Sequence, residues 1–522
     1  MTSEMVHQAL MKPQAYPDAP EKVEFTETHV SRLYFTRNFV YKVKKPVDFG
    51  FLNFTTLDRR RFYCEEEVRL NRRFCPDTYL GIKEIRRDSG GIHLNGQGEI
   101  LDYAVWMKRL PAARMLDHLI EARSPELEAV MPALGALLAR IEEQAQICRE
   151  NSGMSNLDEV RRNWRENFDQ IAPFVGRTLV APTLDLCRRY VDGFLQANAA
   201  LLLQREADGY VRDGHGDLHA EHICLTDPVR IYDCIEFNRR FRVADIAADL
   251  AFLLMDLEVR GRRDLAAALL EGYVNSAAPD PELGTLLPFY KIYRAFVRGK
   301  VESFLSADDS AAESVRSAAR RRARHYFNLV LGYLMQPCLI LTCGLMGSGK
   351  STLARALAHS TGAQILRSDA IRKELAADAA KNSPHHDFGA GIYSSEWTRR
   401  TYDSLLQSAA AGLGRGAMLI VDASFADAQQ RRLFMNLAQK IGRPCFVLHL
   451  RSDTATLEQR LRRRSAEQTD ISDGRVELLA AHQRAFSAPQ ADPWVVEIDA
   501  TADIDENVEY VLGEIIQRAG FL

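Results

Sequence analysis

At 522 residues the chain exceeds what one ordinary hydrophobic core covers, so about two to four domains are expected. Its 46% hydrophobic and 26% charged residues are typical of a water-soluble globular chain. With 67 Lys and Arg against 70 Asp and Glu, the formal net charge of −3 argues against a chain built as a whole for nucleic acid or an anionic membrane surface. The nine cysteines are scattered without a C-x-x-C pair, so neither a disulfide framework nor a zinc ribbon is indicated. No apolar core follows a basic start at the N-terminus, and no run of about 18 apolar residues occurs, so neither a signal peptide nor a membrane span is read. The cytoplasm is the expected location.

In chain order, residues 1 to 20 read as a short helix and a proline-rich lead-in. Two strand-like runs, Thr28–Phe35 and Phe39–Lys44, flank a turn at Thr36–Asn38 and predict a hairpin. Leu57–Phe74 predicts a charged amphipathic helix. A second strand pair follows, Tyr79–Ile85 and Ile100–Met107, with a glycine turn near Ser89–Gly91. These pieces predict a small β-rich lobe over residues 20–107. From Leu110 to Leu203 the pattern is helical, and the stripe Leu134, Leu137, Leu138, Ile141 reads as core. Short polar strand-like pieces occupy Gly214–Asp233. Helices resume at Val243–Leu254 and continue to Leu334. The cluster Arg316, Arg320, Arg321, Arg322 and Arg324 on the last of them reads as a solvated face rather than a nucleic-acid patch. Pro337 marks a boundary, dividing the chain into expected domains 1–335 and 337–522.

The second part opens on Cys338–Cys343, a short apolar run, followed by Gly344-Leu-Met-Gly347-Ser348-Gly349-Lys350-Ser351 and a helical stretch from Thr352. This satisfies G-x-x-x-x-G-K-[ST] between a strand and a helix start. Glycines let backbone N–H groups close around phosphate oxygens, Lys350 brings a point charge to the β/γ-phosphates, and Ser351 can hold Mg²⁺. Ser368-Asp369 ends the next strand and opens a helix, where a carboxylate can receive a hydroxyl proton; Arg372 can clamp an anionic substrate. Ala417–Asp422 is an apolar strand ending in the carboxylate expected to orient the metal. Arg460, Arg462, Arg463 and Arg464 can close over phosphates as a lid. Together these segments resemble the small P-loop kinases (gluconate, shikimate, polynucleotide and zeta-toxin types) over about 337–522. That likeness implies a parallel sheet with helices on both faces, an AAA-type ATP-binding domain, ATP and Mg²⁺.

In the first part, His215-Gly-Asp217-Leu-His219-Ala-Glu-His222 precedes Ile231-Tyr-Asp233-Cys-Ile-Glu236. One carboxylate on a tight loop and another after an apolar run suit separate tasks, one on a hydroxyl and one on a metal. This constellation resembles the aminoglycoside phosphotransferase and choline kinase branch of the protein-kinase-like fold, over about residues 25–330. The resemblance implies a two-lobed fold mixing α+β and α/β, with Asp217 as catalytic base and Asp233 as metal ligand. Lys42 or Lys44 would be the phosphate-anchoring lysine, Glu66 or Glu67 its helix partner, and Tyr103–Met107 the hinge at adenine. The family's second metal ligand, an Asn five residues after the base, is His222 here. An imidazole suits Mg²⁺ poorly, so either one metal is lost, or a softer ion such as Mn²⁺ is preferred, or this lobe binds nucleotide weakly. A rival reading makes His215, His219 and His222, with Asp217, zinc ligands. A subset of bacterial two-domain proteins joins such a phosphotransferase-like domain to a P-loop kinase-like one, and the chain resembles them over nearly its whole length.

The expected activity is ATP-dependent transfer of a phosphoryl group to a hydroxyl of a small molecule. A nucleic-acid or nucleotide end kinase, and a P-loop kinase regulated by an ATP-sensing N-terminal domain, are the alternatives.

Overall fold

The computed structural model describes residues 2–50, 52–149, 153–379, 395–467 and 476–521. The chain packs as two compact units, one of Met1–Asn163 with Leu195–Arg294, the other of Trp164–Phe194 with Ala295–Leu522.

The first unit is built on an antiparallel sheet of β1 (Glu24–Glu27), β2 (Ser31–Phe35), β3 (Phe39–Lys44), β4 (Tyr79–Asp88), β5 (Gly91–Leu94) and β6 (Glu99–Lys108). Its order is β1-β2-β3-β6-β4-β5. The β2–β3 hairpin forms as expected, with Thr36 N–H donating to Phe39 O at 2.9 Å. Thr28–Val30, expected as strand, instead turns the chain between β1 and β2, because Thr28 Oγ1 accepts the N–H of Ser31 at 3.0 Å. The helix Leu57–Asn71 is capped by Thr56, whose hydroxyl accepts from Arg59 N–H. It buries Cys64, Glu67, Val68 and Asn71, a stripe at helical spacing. A carboxylate on that apolar stripe marks a buried ion pair.

The helices Leu127–Gln144 and Arg263–Val274 cross at glycines. A Cβ on Gly135 would sit 2.1 Å from Leu269 O, and one on Gly272 would sit 2.1 Å from Pro132 O. No other residue permits that approach. Leu134 and Leu138 of the predicted stripe are buried, while Leu137 and Ile141 are half-buried. Two small antiparallel pairs shape the loop region: β7 (Val211–Asp213) with β10 (Val243–Asp245), and β8 (Ile223–Cys224) with β9 (Arg230–Ile231). The helix expected from Val243 therefore begins at Ala247, its first residues being claimed by β7.

The second unit holds a parallel sheet of β11 (Leu339–Cys343), β12 (Gln364–Arg367), β13 (Leu419–Asp422), β14 (Cys445–Arg451) and β15 (Val495–Asp499), in the order β12-β13-β11-β14-β15. Every residue of β11 and β13 is buried. That is why both read as unbroken apolar runs: helices cover both faces of a parallel sheet, so no face alternates to polar. The packing does not divide the chain at Pro337. Helix Glu313–Leu334 belongs to the second unit, where Asn328 Nδ2 donates to Asp505 O at 3.1 Å and Arg324 pairs with Glu506 at 2.7 Å. Glu509 Oε1 there accepts from Val180 N–H and the Thr183 hydroxyl at 2.8 and 2.7 Å, tying in the segment Trp164–Phe194.

Arg324 is one of the predicted basic cluster, and its neighbours are also engaged. Arg316 pairs with Glu313 and Asp309, and Arg322 with Glu302. All nine cysteines are buried free thiols. Among the described residues no helix is long and apolar enough to cross a membrane.

Candidate active sites

In the second unit the phosphate loop leaves the carboxyl end of β11, where ligands bind in open α/β sheets. Gly347 and Gly349 adopt φ of 80° and 91°, left-handed backbone that the turn requires. A Cβ on Gly347 would press on Leu457 O at 3.1 Å, so the helix Thr454–Glu467 lies against the loop. Gly344 comes just as close to β14, its Cβ position being 2.8 Å from Leu450 O. Ser348 Oγ is buried without a hydrogen-bond partner among the described residues, and Ser351 and Thr352 occupy the first turn of the helix Lys350–Thr361. An orphan hydroxyl and a helix N-terminus in one glycine loop fit a phosphate chain. Ser351 and Asp422 add the hard oxygen donors that Mg²⁺ takes.

Lys350 reaches back to Leu345 O at 2.7 Å. Burial holds its ammonium below the usual lysine range, opposed by the nearby carboxylates of Asp422 and Asp369 and reinforced by Arg464. The two predicted carboxylates and the lysine are thus brought together. Asp422 ends β13 beside Arg367, whose Nε is 3.5 Å from Oδ2, with Thr342 Oγ1 3.5 Å from Oδ1. Arg372 Nη1 lies 3.4 Å from Asp369 Oδ1, one helical turn on.

The arginine run divides by helical period. Arg460 Nη2 donates to Ala500 O at 2.7 Å, and its Nη1 lies near Gly349; Arg464, four residues on, follows the same face. Arg462 and Arg463 point to solvent.

A residue absent from the sequence reading completes this site. His482 Nδ1 accepts the N–H of Met346 at 3.2 Å. Burial, aided by Lys350, pushes its imidazole down to about 4 from the ordinary 6.5. As pH falls, the unfolded chain then takes up this proton before the folded one does. Stability present above pH 6.5 is lost as pH drops through 4. His215 in the first unit, pushed down to about 3 by burial, acts with the same sign. The urea midpoint is expected to fall between pH 7 and about pH 5, and His482→Asn to shrink that fall. An undiminished fall would remove His482 from the account.

In the first unit, Lys42 and Lys44 project from one side of β3 into a single buried charge network. Lys42 Nζ lies 2.6 Å from Asp233 Oδ1 and 2.9 Å from Glu67 Oε1. Lys44 Nζ lies 2.7 Å from Glu67 Oε2 and also pairs with Glu236. Burial opposes the Lys42 charge, but Asp233, Glu67 and Glu236 outweigh it and hold the ammonium well above its usual range. Lys42 is the lysine at the loop carboxylate, and Lys44 lies deeper, over the Phe54 ring. Glu66, the other candidate partner, faces outward to Arg69.

The loop His215–Asp217 is held from behind. Asp249, in the helix Ala247–Val259, accepts the N–H groups of His215 and Gly216 at 2.6 and 3.0 Å. Arg294 donates to Gly216 O at 2.8 Å. His215 Nε2 is 2.9 Å from Tyr232 O, and its Nδ1 accepts from Asp217 N–H at 3.2 Å. Both ring nitrogens of His215 are therefore engaged, and it drops out of the zinc reading. Asp217, His219 and His222 do cluster, with potential ligand atoms within 4.8 Å of one another. Asp233 has φ of 63°, a left-handed conformation costly for a residue with a side chain. It is held there by Asp233 N–H donating to the Tyr79 hydroxyl at 3.1 Å and by Cys234 N–H donating to Asn71 Oδ1 at 2.8 Å.

The predicted hinge needs correction. Tyr103–Met107 is interior to β6, paired with β4 on one side, and from Ala104 onward with β3 on the other. Its backbone is committed to the sheet, and the chain leaves β6 only after Lys108.

The sequence matches the phosphotransferase enzyme family over residues 88–284 and the AAA domain family over 339–489. It is 30% identical, over 476 residues, to the uncharacterized protein Rv2004c of Mycobacterium tuberculosis (strain ATCC 25618 / H37Rv), covering 90% of this chain and 92% of that one. The uncharacterized protein Mb2027c of Mycobacterium bovis matches equally. The chain belongs to this family of two-domain proteins, which join a phosphotransferase-family domain to a P-loop kinase-like AAA domain. Solved structures similar to part of it include a sugar kinase from Janibacter sp. HTCC2649, at 20% identity over 34% of this chain and 92% of that one, with a TM-score of 0.27. A gluconokinase from Sinorhizobium meliloti 1021 is similar at 20% identity over 35% and 93%, with a TM-score of 0.26. A phosphotransferase-family domain beside a P-loop kinase-like domain implies a nucleotide, a phosphoryl acceptor and usually a divalent metal.

Proposed function

We propose that the protein transfers the γ-phosphate of ATP to a hydroxyl of a small molecule, with a nucleotide site in each unit. The observation that carries this reading is the glycine loop itself, whose left-handed Gly347 and Gly349 and buried Ser348 hydroxyl open the helix that bears Lys350 and Ser351. Lys350 and the loop amides hold the phosphates, while Ser351 and Asp422 hold the Mg²⁺ that neutralises charge on them. Asp369 takes the acceptor's hydroxyl proton as its oxygen bonds to the γ-phosphorus, and the bond to the β-phosphate oxygen breaks to release ADP. Arg372 beside Asp369 favours an acceptor that carries an anionic group. In the first unit Asp217 is the corresponding base, with Lys42, Glu67 and Asp233 on the nucleotide side.

The nucleic-acid alternative is weakened, because three of its five arginines, Arg316, Arg322 and Arg324, pair with acidic partners of their own unit. The regulatory alternative keeps one observation, the imidazole of His222 where the family has an amide. The test is ATP consumption by wild type, Lys350→Met and Asp217→Asn against a panel of hydroxyl-bearing metabolites. Loss of different acceptors in the two variants is the expected result. Loss in Lys350→Met alone would make the first unit a nucleotide-sensing module.

A further inference from the structure

The first unit's ion site differs in chemistry from the second's. His222 Nδ1 lies 2.8 Å from the backbone oxygen of Asp217, a contact only a protonated nitrogen makes, so Nδ1 carries the hydrogen and Nε2 the lone pair. Ring contacts with His219 and Tyr232, at centroid distances of 4.1 and 5.7 Å, fix the imidazole plane. Nε2 faces Asp233 Oδ2 at 3.6 Å, beyond hydrogen-bond range. The other oxygen of Asp233 is held by Lys42 at 2.6 Å. A nitrogen lone pair and a carboxylate oxygen thus oppose each other, both oriented by other contacts. Two ligand atoms at about 2.1 Å from one ion stand roughly 3.0 Å apart in octahedral and roughly 3.4 Å apart in tetrahedral geometry. The observed separation is within a few tenths of an ångström of that range.

Mg²⁺ fits this pair poorly, since it takes oxygen ligands and sheds water reluctantly. We propose that the first unit binds a divalent transition ion through His222 Nε2 and Asp233 Oδ2, in preference to Mg²⁺, and that His222 sets this selectivity. The inference rests on reading Asp233 as an ion ligand, and it requires neither turnover nor a particular acceptor. An Asn at position 222 would supply oxygen and restore the choice of Mg²⁺. Imidazole instead strengthens binding along the order Mn²⁺, Co²⁺, with Zn²⁺ also well suited.

The test uses Co²⁺ as probe on the full chain without nucleotide, where the phosphate-loop site lacks the phosphates that help hold its ion. Visible absorption reports Co²⁺ and the nature of its ligands directly, and Mg²⁺ competition gives selectivity. Wild type is expected to bind one Co²⁺ in excess Mg²⁺. His222→Asn is expected to weaken Co²⁺ by at least the roughly 10–100-fold that loss of a supporting ligand contact costs, and to shift the absorption band. Asp233→Asn should weaken Co²⁺ and Mg²⁺ alike, and His219→Asn neither. Circular dichroism checks that each variant is folded. Equal Co²⁺ affinity in wild type and His222→Asn overturns the proposal. So does an equal loss in His219→Asn, which would put the ion on the Asp217–His219–His222 cluster. Absence of kinase activity alongside the expected Co²⁺ pattern would overturn the functional reading and leave this one standing.

Discussion

Lys350→Met is expected to lower ATP turnover by the second unit at least about 10²-fold, the loss typical when one preorganised charge contact to the transition state is removed. Thermal stability is expected to stay level or rise. The reason is the same for both. Burial holds the Lys350 ammonium below its usual range, and among the described residues it donates to a loop carbonyl, Leu345 O. The folded protein therefore bears a desolvation cost that the nearby Asp422 and Asp369 offset only in part, and Met fills similar space without it. Turnover and a melting curve on the same preparations check this. A variant that loses activity together with several degrees of stability would make Lys350 a structural residue of the loop.

Glu67→Ala is expected to cost about 3–5 kcal/mol, while Glu66→Ala, one residue away, stays within about 0.5 kcal/mol. Glu67 is 0% exposed and gives one oxygen to each of two lysines. Lys42 keeps Asp233 and Lys44 keeps Glu236 after its removal, so the loss is one charge-assisted hydrogen bond from Lys44, of roughly 1.5–3 kcal/mol, and one buried ion pair with Lys42, rather than two orphaned ammonium groups. Glu66 pairs with Arg69 on the outer face, where an ion pair is worth little. Urea denaturation of the two variants measures the difference. Equal costs would mean that the network is hydrated or that the helix presents another face. Against a typical total stability of about 5–15 kcal/mol, the Glu67 effect is large enough to lower the folded fraction at 37 °C.

The elements proposed to carry the phosphate chemistry were legible because each is local. Gly344–Ser351 is a contiguous loop whose conformation depends on its own glycines, and β11 and β13 read as buried strands because both their faces are covered. The loop His215–Asp217 and the later Asp233 are likewise short-range patterns. Strands β1, β5, β7 and β15 went unread; each is five residues or fewer, and β1, β5 and β15 lie at sheet edges, where little burial patterns them.

Choices between neighbouring residues needed three dimensions. Lys42 and Lys44 lie two apart on a strand and so share a face; only the depth of each in the fold separates them. Glu66 and Glu67 differ by about a hundred degrees around a helix, and the sheet beneath decides which is buried. Asp249, Arg294, Thr342 and His482 support the sites from elsewhere in the chain. Their signals existed as polar residues in apolar or helical runs, such as Thr342 within Leu339–Cys343. A polar residue in an apolar run announces a buried partner without naming it. The sequence by itself determined the chemistry available at each loop, since that chemistry belongs to residue types a few positions apart. The tertiary structure alone decided which distant charges meet those loops, because packing, not chain proximity, brings them there.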